Sequence, residues 1–204
     1  LEHLAGPRHP ERPERLRAVI NGVQRAGVAD AMIPLEPEPA TRADLERVHP
    51  AAYLDRIETI CADGGGRLDP DPYASPGSWI AATNAAGAGL TAVRAMREGR
   101  GSAAFCAVRP PGHHATSTES MGFCFVNNVA VVAASLAAQG ERVLVFDYDA
   151  HHGNGTHDIF YADPRVLFVS IHQWPLYPGT GRHDEMGEGA GHGFTMNKIG
   201  RAHV

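Results

Sequence analysis

The stretch Val143 to Thr156, VLVFDYDAHHGNGT, constrains the fold of this chain more than any other. Four apolar residues run directly into Asp147, Asp149 and His151, and a Gly-Asn-Gly turn follows. A short apolar run that ends in acids and imidazoles is typical of a buried parallel strand with polar side chains at its carboxyl end. Residues two apart on a strand point the same way, so Asp149 and His151 are predicted to project into one site.

Two other apolar segments, Ala103 to Val108 and Val166 to His172, are predicted to be strands of the same sheet. Helical patterns separate the segments, and this alternation predicts an α/β fold with a mainly parallel sheet. Ligands bind at the carboxyl ends of the strands in such sheets. Side chains with metal-binding or acid–base chemistry follow all three segments: His113, His114, Asp149, His151 and His172. We therefore expect one site at one edge of the sheet.

Helices are predicted where apolar residues recur at helical spacing, where Thr41 can cap a short segment, and in two Ala-rich runs. The predicted helices cover approximately residues 16–26, 41–48, 51–61, 77–97, 127–138 and 155–161. Pro- and Gly-rich loops separate them, including the acidic loop of residues 68–75 and the aromatic loop of residues 174–181.

Composition excludes several classes of protein. With 204 residues, 43% of them hydrophobic, the chain suits a single globular domain. The net charge of −5 and the absence of a Lys/Arg run argue against a nucleic-acid surface. No apolar run is long enough to span a membrane. Three cysteines form no disulfide framework, which favours the cytoplasm. The sequence does not indicate an oligomeric state.

The last seven residues, KIGRAHV, differ from the rest of the chain. Lys198 is the only lysine among 18 basic residues. The peptide also corresponds to the translation of a common sequencing-adapter string. We therefore predict that residues 1–197 are the N-terminal portion of one catalytic domain and that residues 198–204 are a non-native tail. A genuine polar C-terminus is the alternative.

Asp149 and His151 are the candidate metal ligands, because an oxygen and a nitrogen donor suit a zinc-like cation. A catalytic zinc takes three protein ligands and a water, so the third ligand would be His172 or a residue beyond position 197. His113 and His114 would form a general acid/base pair. Asp147 and Asn154 are polar groups that could orient these two imidazoles.

Three further observations leave alternatives open. Phe123 and Tyr177 could form the walls of a narrow channel for an aliphatic chain, or they could simply pack within their loops. Cys124 could act as a nucleophile, although its two Phe neighbours favour a buried, inert thiol. His152 should point away from His151 and is predicted to be a packed or hydrogen-bonded histidine.

The sequence resembles the histone deacetylase family, specifically its class II-like and bacterial amidohydrolase branch. The resemblance covers nearly all of residues 3–197 in the expected order. It is carried by the motifs HPERPERL, RPPGHHA, MGFCFVNNVAVVA, VLVFDYDAHHGNGT, VLFVSIH, PLYPGTG and GEGAGHGFTMN.

This resemblance implies an arginase/deacetylase-type three-layer α/β/α fold, incomplete in this chain. It implies zinc-dependent hydrolysis of an acetyl amide on an amine, with release of acetate. Acetyl-lysine, acetylated polyamines and related N-acyl amines are the implied substrates. The matching positions are Asp149 and His151 for zinc, His113 and His114 for catalysis, and Asp147 and Asn154 for orientation. Gly122, Phe123, Tyr177 and Asp71 match substrate contacts, with Asp69 competing for the last role, and Asp147 and Ser170 match a potassium site.

The chain departs from the family pattern in two respects. The third zinc ligand of the family, an aspartate, and its transition-state tyrosine have no counterpart before residue 198. Related manganese hydrolases carry an aspartate where this chain has Gly153, which favours one metal ion. We therefore expect a deacetylase whose 204-residue portion is inactive alone. A binding-only module of the same fold, or a Cys-His hydrolase, would be the alternatives.

Overall fold

The computed structural model describes residues 3–6, 9–68 and 73–200. Each predicted helix is present, although the one predicted for residues 41–48 ends at Leu45. They are α1 (Pro13–Arg25), α2 (Arg42–Leu45), α3 (Ala51–Ala62), α4 (Ser78–Arg97), α5 (Asn128–Ala137) and α6 (Asn154–Phe160), with short 3-10 turns at Ala29–Ala31 and Gly189–Gly191. Local caps explain some of these boundaries. Thr41 and Asp44 form a capping box at the start of α2, and the Asn127 side chain caps α5.

The main sheet is parallel and carries the candidate site at its carboxyl edge. Its strands are β3 (Val143–Asp147), β4 (Val166–Gln173) and β5 (Thr195–Gly200), in the order β3-β4-β5. Helix α6 connects β3 to β4, as the alternation in the sequence predicts. Strand β5 was not predicted. A separate two-stranded antiparallel pair was not predicted: β1 (Gly66–Arg67) directly precedes the predicted acidic loop of residues 68–75, and β2 (Tyr73–Ala74) lies within it.

The hydrophobic core lies between helices α3, α4 and α5 and one face of the sheet. Leu54 and Ile57 of α3 are fully buried, and Val131 of α5 and Phe168 of β4 join the same cluster. Small residues let α4 and α5 approach each other. A side chain at Gly89 would overlap Val132 of α5. This packing fixes the framework from which the site loops extend.

The prediction of a buried strand at Ala103 to Val108 is wrong. This segment forms no strand, and the side chain of Phe105 is 59% exposed. A strand needs a hydrogen-bonded neighbour, and within the described residues β3 pairs only with β4, so the segment has no strand beside it.

Only one face of the main sheet is buried. Exposed apolar side chains occupy its other face: Leu144, Phe146, Ile171 and Met196.

Helix α1 forms as predicted, but it buries none of its residues. Its apolar residues Val19, Ile20 and Val23 line an open groove of about 800 Å³ together with Met32 and Phe105. The segment Ala103 to Val108 and this open face of α1 are therefore parts of the same apolar groove.

The C-terminal residues continue the sheet up to the end of the described chain. Lys198, Ile199 and Gly200 lie in β5, opposite Ile171, His172 and Gln173 of β4. Residues 201–204 lie outside the described residues, and the proposal of a non-native tail stays a prediction. Within the described part of the chain, no helix is both long enough and apolar enough to cross a membrane.

Candidate active site

His113 lies on the loop after the Pro110-Pro111 pair, and its Nδ1 is 2.9 Å from Oδ2 of Asp147 at the end of β3. The other oxygen of this carboxylate, Oδ1, accepts the backbone N–H of Asp149. A carboxylate cannot donate, so Nδ1 of His113 carries the hydrogen in this bond. Asp147, which was predicted to orient one of the two imidazoles, thus contacts His113.

His114 is buried beside His113, with the two ring centroids 4.0 Å apart. Its Nδ1 lies 2.8 Å from Oδ1 of Asn154, while Nδ2 of Asn154 donates to the sulfur of Met121. Because the amide nitrogen of Asn154 faces Met121, its oxygen faces His114 and must accept a hydrogen bond there. Nδ1 of His114 is therefore the donor, and its Nε2 holds a free lone pair. Burial, followed by the charge of His113, lowers the pKa of His114 to about 4. His114 is therefore neutral near pH 7.

Asp149 and His151 face each other at the mouth of the same site. Oδ1 of Asp149 is 3.0 Å from Nδ1 of His151 and also accepts the His151 backbone N–H. Burial raises the pKa of Asp149, but hydrogen bonds from His151 and the charge of His113 outweigh burial and lower it. An ionised carboxylate and an imidazole this close suit one small cation, although the distance also suits a simple hydrogen bond.

Two donors do not complete a metal site. Among the described residues, no group of three His, Cys, Asp or Glu side chains is arranged to hold a metal ion. His172 does not supply the third donor. Its Nδ1 bonds to Ser170 and its Nε2 bonds to the Gly181 carbonyl, so both ring nitrogens are occupied away from the site. The part of the site that is described thus fits zinc through Asp149 and His151 alone.

His152 is buried and hydrogen-bonded, as predicted. Its Nδ1 bonds to the Thr180 hydroxyl and its Nε2 to Nδ1 of His157. The nearby carboxylate of Glu185 accepts the backbone N–H of Gly181. This polar cluster lies behind the 174–181 loop and ties it to the strand end that carries His151.

Two of the predicted substrate contacts, Tyr177 and Gly122, lie against His114, and Phe123 follows Gly122 directly. The ring of Tyr177 is edge-on to His114 at 5.1 Å and to His151 at 6.1 Å. Gly122 packs so closely on His114 that a side chain there would overlap the imidazole. Phe123 follows in the left-handed region (φ 68°), and its ring contacts His9 at 4.6 Å. Tyr177 and Gly122 are thus close to the two histidines, whereas the Phe123 ring contacts the N-terminal segment.

Gly153 has a structural role that its place in the sequence did not reveal. A Cβ atom at this position would overlap Oδ2 of Asp147 and lie 3.1 Å from Nδ1 of His113. The absence of a side chain at Gly153 therefore allows the His113–Asp147 hydrogen bond to form.

The remaining predicted residues are less informative. Asp147 and Ser170 are opposite each other on β3 and β4, but the Ser170 hydroxyl contacts His172. Their role in potassium binding stays a prediction. Asp71 and its competitor Asp69 lie outside the described residues.

Cys124 is fully buried, and its thiol contacts the Gly122 carbonyl oxygen. Burial raises the pKa of this thiol to about 12. Because the thiolate is the nucleophilic form, Cys124 is unsuited to attack a substrate. The structure therefore argues against the Cys-His hydrolase alternative.

Sequence reasoning missed a buried ion pair behind the histidine loop. The carboxylate of Glu11 binds the Arg109 guanidinium through both oxygens, and His3 lies 3.3 Å from Oε2. Burial raises the pKa of Glu11, but the close contacts with His3 and Arg109 outweigh burial and lower it to about 2. No spacing signal could have linked residues 98 positions apart. The only hint was that a charged residue stands inside each of two proline-rich motifs.

Comparison with known proteins agrees with this arrangement. A sequence model described as the histone deacetylase domain matches residues 9–203. A protein of Archaeoglobus fulgidus named "Probable deacetylase" is 42% identical over 97% of this chain and 55% of its own length. The "Histone deacetylase-like amidohydrolase" of Pseudomonas aeruginosa is 40% identical over 93% of this chain and 50% of its own length.

A solved structure supports the same assignment. The crystal structure of the HDA15 HD domain matches with a TM-score of 0.86 and 40% identity, over 97% of this chain and 56% of that one. The predicted α/β fold of the deacetylase type is thereby confirmed. The chain spans about half the length of the relatives it matches. With its family model covering nearly the whole sequence, the chain belongs to the histone deacetylase family, as a member similar to the bacterial enzymes.

Proposed function

We propose that the protein containing this chain hydrolyses an acetyl amide on an amine and releases acetate. This proposal rests on one observation: two neighbouring imidazoles have hydrogen-bond partners of different charge, and they lie beside two potential metal ligands. His114 is held by the neutral amide of Asn154, whereas His113 is held by the carboxylate of Asp147. One neutral base and one carboxylate-supported imidazole suit water activation followed by protonation of a leaving amine.

His114 is the proposed general base. Its Nδ1–H is engaged by Asn154, so Nε2 is the atom that accepts a proton from the attacking water. The lowered pKa of His114 keeps Nε2 unprotonated at neutral pH. The same atom would then return the proton to the amine nitrogen as the C–N bond breaks. His113 lies next to it and would stabilise charge there through Asp147.

Asp149 and His151 are the proposed zinc ligands in this chain. Zinc held there would supply Lewis acidity toward the acetyl carbonyl. The carboxylate of Asp149 and the Nδ1 atom of His151 support this proposal by their proximity, and family membership supports it independently. A potassium ion near Asp147 and Ser170 is a further expectation from the family.

The proposed substrate is an acetylated primary amine on a flexible chain, either acetyl-lysine or an acetylpolyamine. Phe123 and Tyr177 are the proposed channel walls, and Gly122 beside His114 is the proposed amide contact. Aromatic walls favour the methylene groups of such a chain. The three cysteines are all free, which supports a cytoplasmic setting.

The test uses the complete gene product, because the chain spans about half of its relatives. Purified protein loaded with zinc would be incubated with an acetyl-lysine peptide and with N-acetylputrescine, and released acetate would be measured. We expect zinc-dependent release that falls at least 100-fold in His114→Ala. An active enzyme that is insensitive to chelators and to His114→Ala would contradict the proposal.

For the 204-residue chain alone, we propose the second candidate function, a catalytically incompetent portion or a binding-only module. The observation that favours it is the limit of two metal donors among the described residues. The isolated chain should then bind zinc more weakly than the complete product and release no acetate. Turnover by the isolated chain comparable to that of the complete product would refute this.

A further inference from the structure

The buried ion pair of Glu11 and Arg109 lies directly upstream of the two histidines. The side chains are 1% and 6% exposed. Arg109 donates from Nε to Oε1 at 2.6 Å and from its terminal nitrogen to Oε2, and it also donates to the His3 carbonyl at 3.2 Å. A bidentate arginine–carboxylate pair fixes both distance and orientation.

The N-terminal segment that carries Glu11 is itself anchored. His3 donates to or accepts from the Ser78 hydroxyl at 2.7 Å, and its ring packs edge-on against Phe125. The backbone N–H of Leu4 donates to the Ser75 hydroxyl. Glu11 is therefore presented to Arg109 from a segment that is attached to the start of α4.

Hydrogen bonds from later parts of the chain hold the histidine loop at two points after Arg109. The His113 carbonyl accepts the Thr156 N–H, and Asn128 donates to the Pro110 carbonyl. Upstream, the 103–108 segment has no strand partner within the described residues. Pro110 and Pro111 have no N–H to donate. The bidentate ion pair of Arg109 with Glu11 is thus a charged anchor at the upstream end of the loop, next to the single Asn128 hydrogen bond to Pro110.

We propose that Arg109, clamped by Glu11, is a positioning residue that sets where His113 and His114 stand relative to Asp147 and Asn154. This inference rests on the proposed function for its kinetic consequence. Only four residues, two of them proline, separate Arg109 from His114, so a displacement of the guanidinium is transmitted to the imidazoles with little slack. Misplacement of a catalytic group by about 1 Å can cost 100-fold in rate.

The same N-terminal segment also reaches the proposed channel wall. The ring of His9, two residues before Glu11, contacts Phe123 edge-on at 4.6 Å. Nδ1 of His9 accepts the Glu11 backbone N–H at 3.1 Å, which couples this ring to the ion pair. The N-terminal segment therefore binds the histidine loop through Glu11 and contacts one proposed channel wall through His9.

The test compares three variants of the complete gene product. Removing one partner of a buried pair leaves an unpaired charge and can prevent folding, whereas replacing both with apolar residues is often neutral for stability. The main variant is therefore the double substitution Glu11→Met with Arg109→Met. Arg109→Lys keeps the charge without the bidentate geometry. Ile57→Ala, in the core of α3, is the control for destabilisation alone.

Hydrogen exchange at residues 112–116 is the first readout, and it does not depend on activity. We expect the double variant to increase exchange there by at least 10-fold, with zinc affinity and the rest of the chain unchanged. Ile57→Ala should instead raise exchange broadly. Equal protection of this loop in the double variant and the parent would overturn the inference, even if the parent proves not to be a deacetylase.

Kinetics form the second readout. We expect kcat of the double variant to fall by about 10- to 100-fold with KM within about twofold, and Arg109→Lys to lie between it and the parent. Ile57→Ala should retain parental kcat below its melting temperature. A double variant with parental kcat, or one that loses no more kcat than Ile57→Ala does, would refute a positioning role. A parent that releases no acetate would count against the proposed function alone.

Discussion

Oδ1 of Asn154 lies 2.8 Å from Nδ1 of His114, and the amide of the same residue donates to Met121. A neutral partner thus supports the proposed base. A carboxylate here would stabilise the imidazolium and raise the pKa of His114 from about 4. In Asn154→Asp, the acid limb of the kcat/KM profile should move to higher pH by about 1 unit or more.

The control for this profile is Asn84→Asp, the same substitution on α4, where the Asn84 side chain donates to the Ile80 carbonyl of its own helix. Its pH profile should match that of the parent. An Asn154→Asp profile that is superimposable on both would show that His114 does not set the acid limb.

The backbone at position 153 passes so close to Asp147 and His113 that only glycine fits there. Gly153→Ala should displace one of these side chains, lower kcat at least 10-fold and reduce the free energy of unfolding by about 1–3 kcal/mol. Gly22→Ala is the matched control. Gly22 lies within α1, and a Cβ atom there would have nothing within 4 Å, so alanine should stabilise the helix by about 0.5–1 kcal/mol. Steady-state kinetics and denaturant titration would measure both effects, and parental kcat in Gly153→Ala would contradict the prediction.

Cysteine reactivity should be confined to an exposed position. Cys61 and Cys124 are buried and Cys106 is exposed. Iodoacetamide at pH 8 should therefore modify Cys106 first, as read by peptide mass spectrometry, while acetate release remains at the parental rate. Cys124→Ala should likewise retain activity. Rapid inactivation that follows modification of Cys124 would instead support a thiol nucleophile.

His49 should make folding stability depend on pH. It is buried between the Ser117 carbonyl and the Asn127 N–H, and burial lowers its pKa to about 4. In the unfolded chain His49 has a pKa near 6.5, so between pH 6.5 and pH 4 this side chain binds more protons in the unfolded state than in the folded state. Stability is therefore retained above about pH 6.5 and lost as the pH falls toward 4.

The expected contribution of His49 is about 2 kcal/mol between pH 7.5 and pH 5. Denaturant titrations at both pH values would measure the loss. His49→Gln removes the titration and should show a smaller loss than the parent by about this amount. An identical loss in the parent and the variant would mean that His49 charges without cost in the folded protein.

Local patterns predicted much of the framework. The Ala-rich run before Arg97 forms α4, and the Ala- and Val-rich run after Asn127 forms α5, because helix propensity and apolar periodicity act within a few residues. The Ala103 to Val108 segment failed for the opposite reason. Its apolar sequence fits a strand, but a strand exists only through a neighbour, and no neighbour lies beside it in the described chain.

The sequence by itself determined that Asp149 and His151 follow a strand and that two histidines follow a proline pair, since both facts are local. The sequence also determined the family, because the motifs of that family occur along the chain in the expected order. Only the tertiary structure decided that His172 turns away from the site and that Glu11 reaches Arg109 from 98 residues away. Such contacts depend on how distant segments pack, and a side chain's own neighbours in sequence do not specify its partners in space.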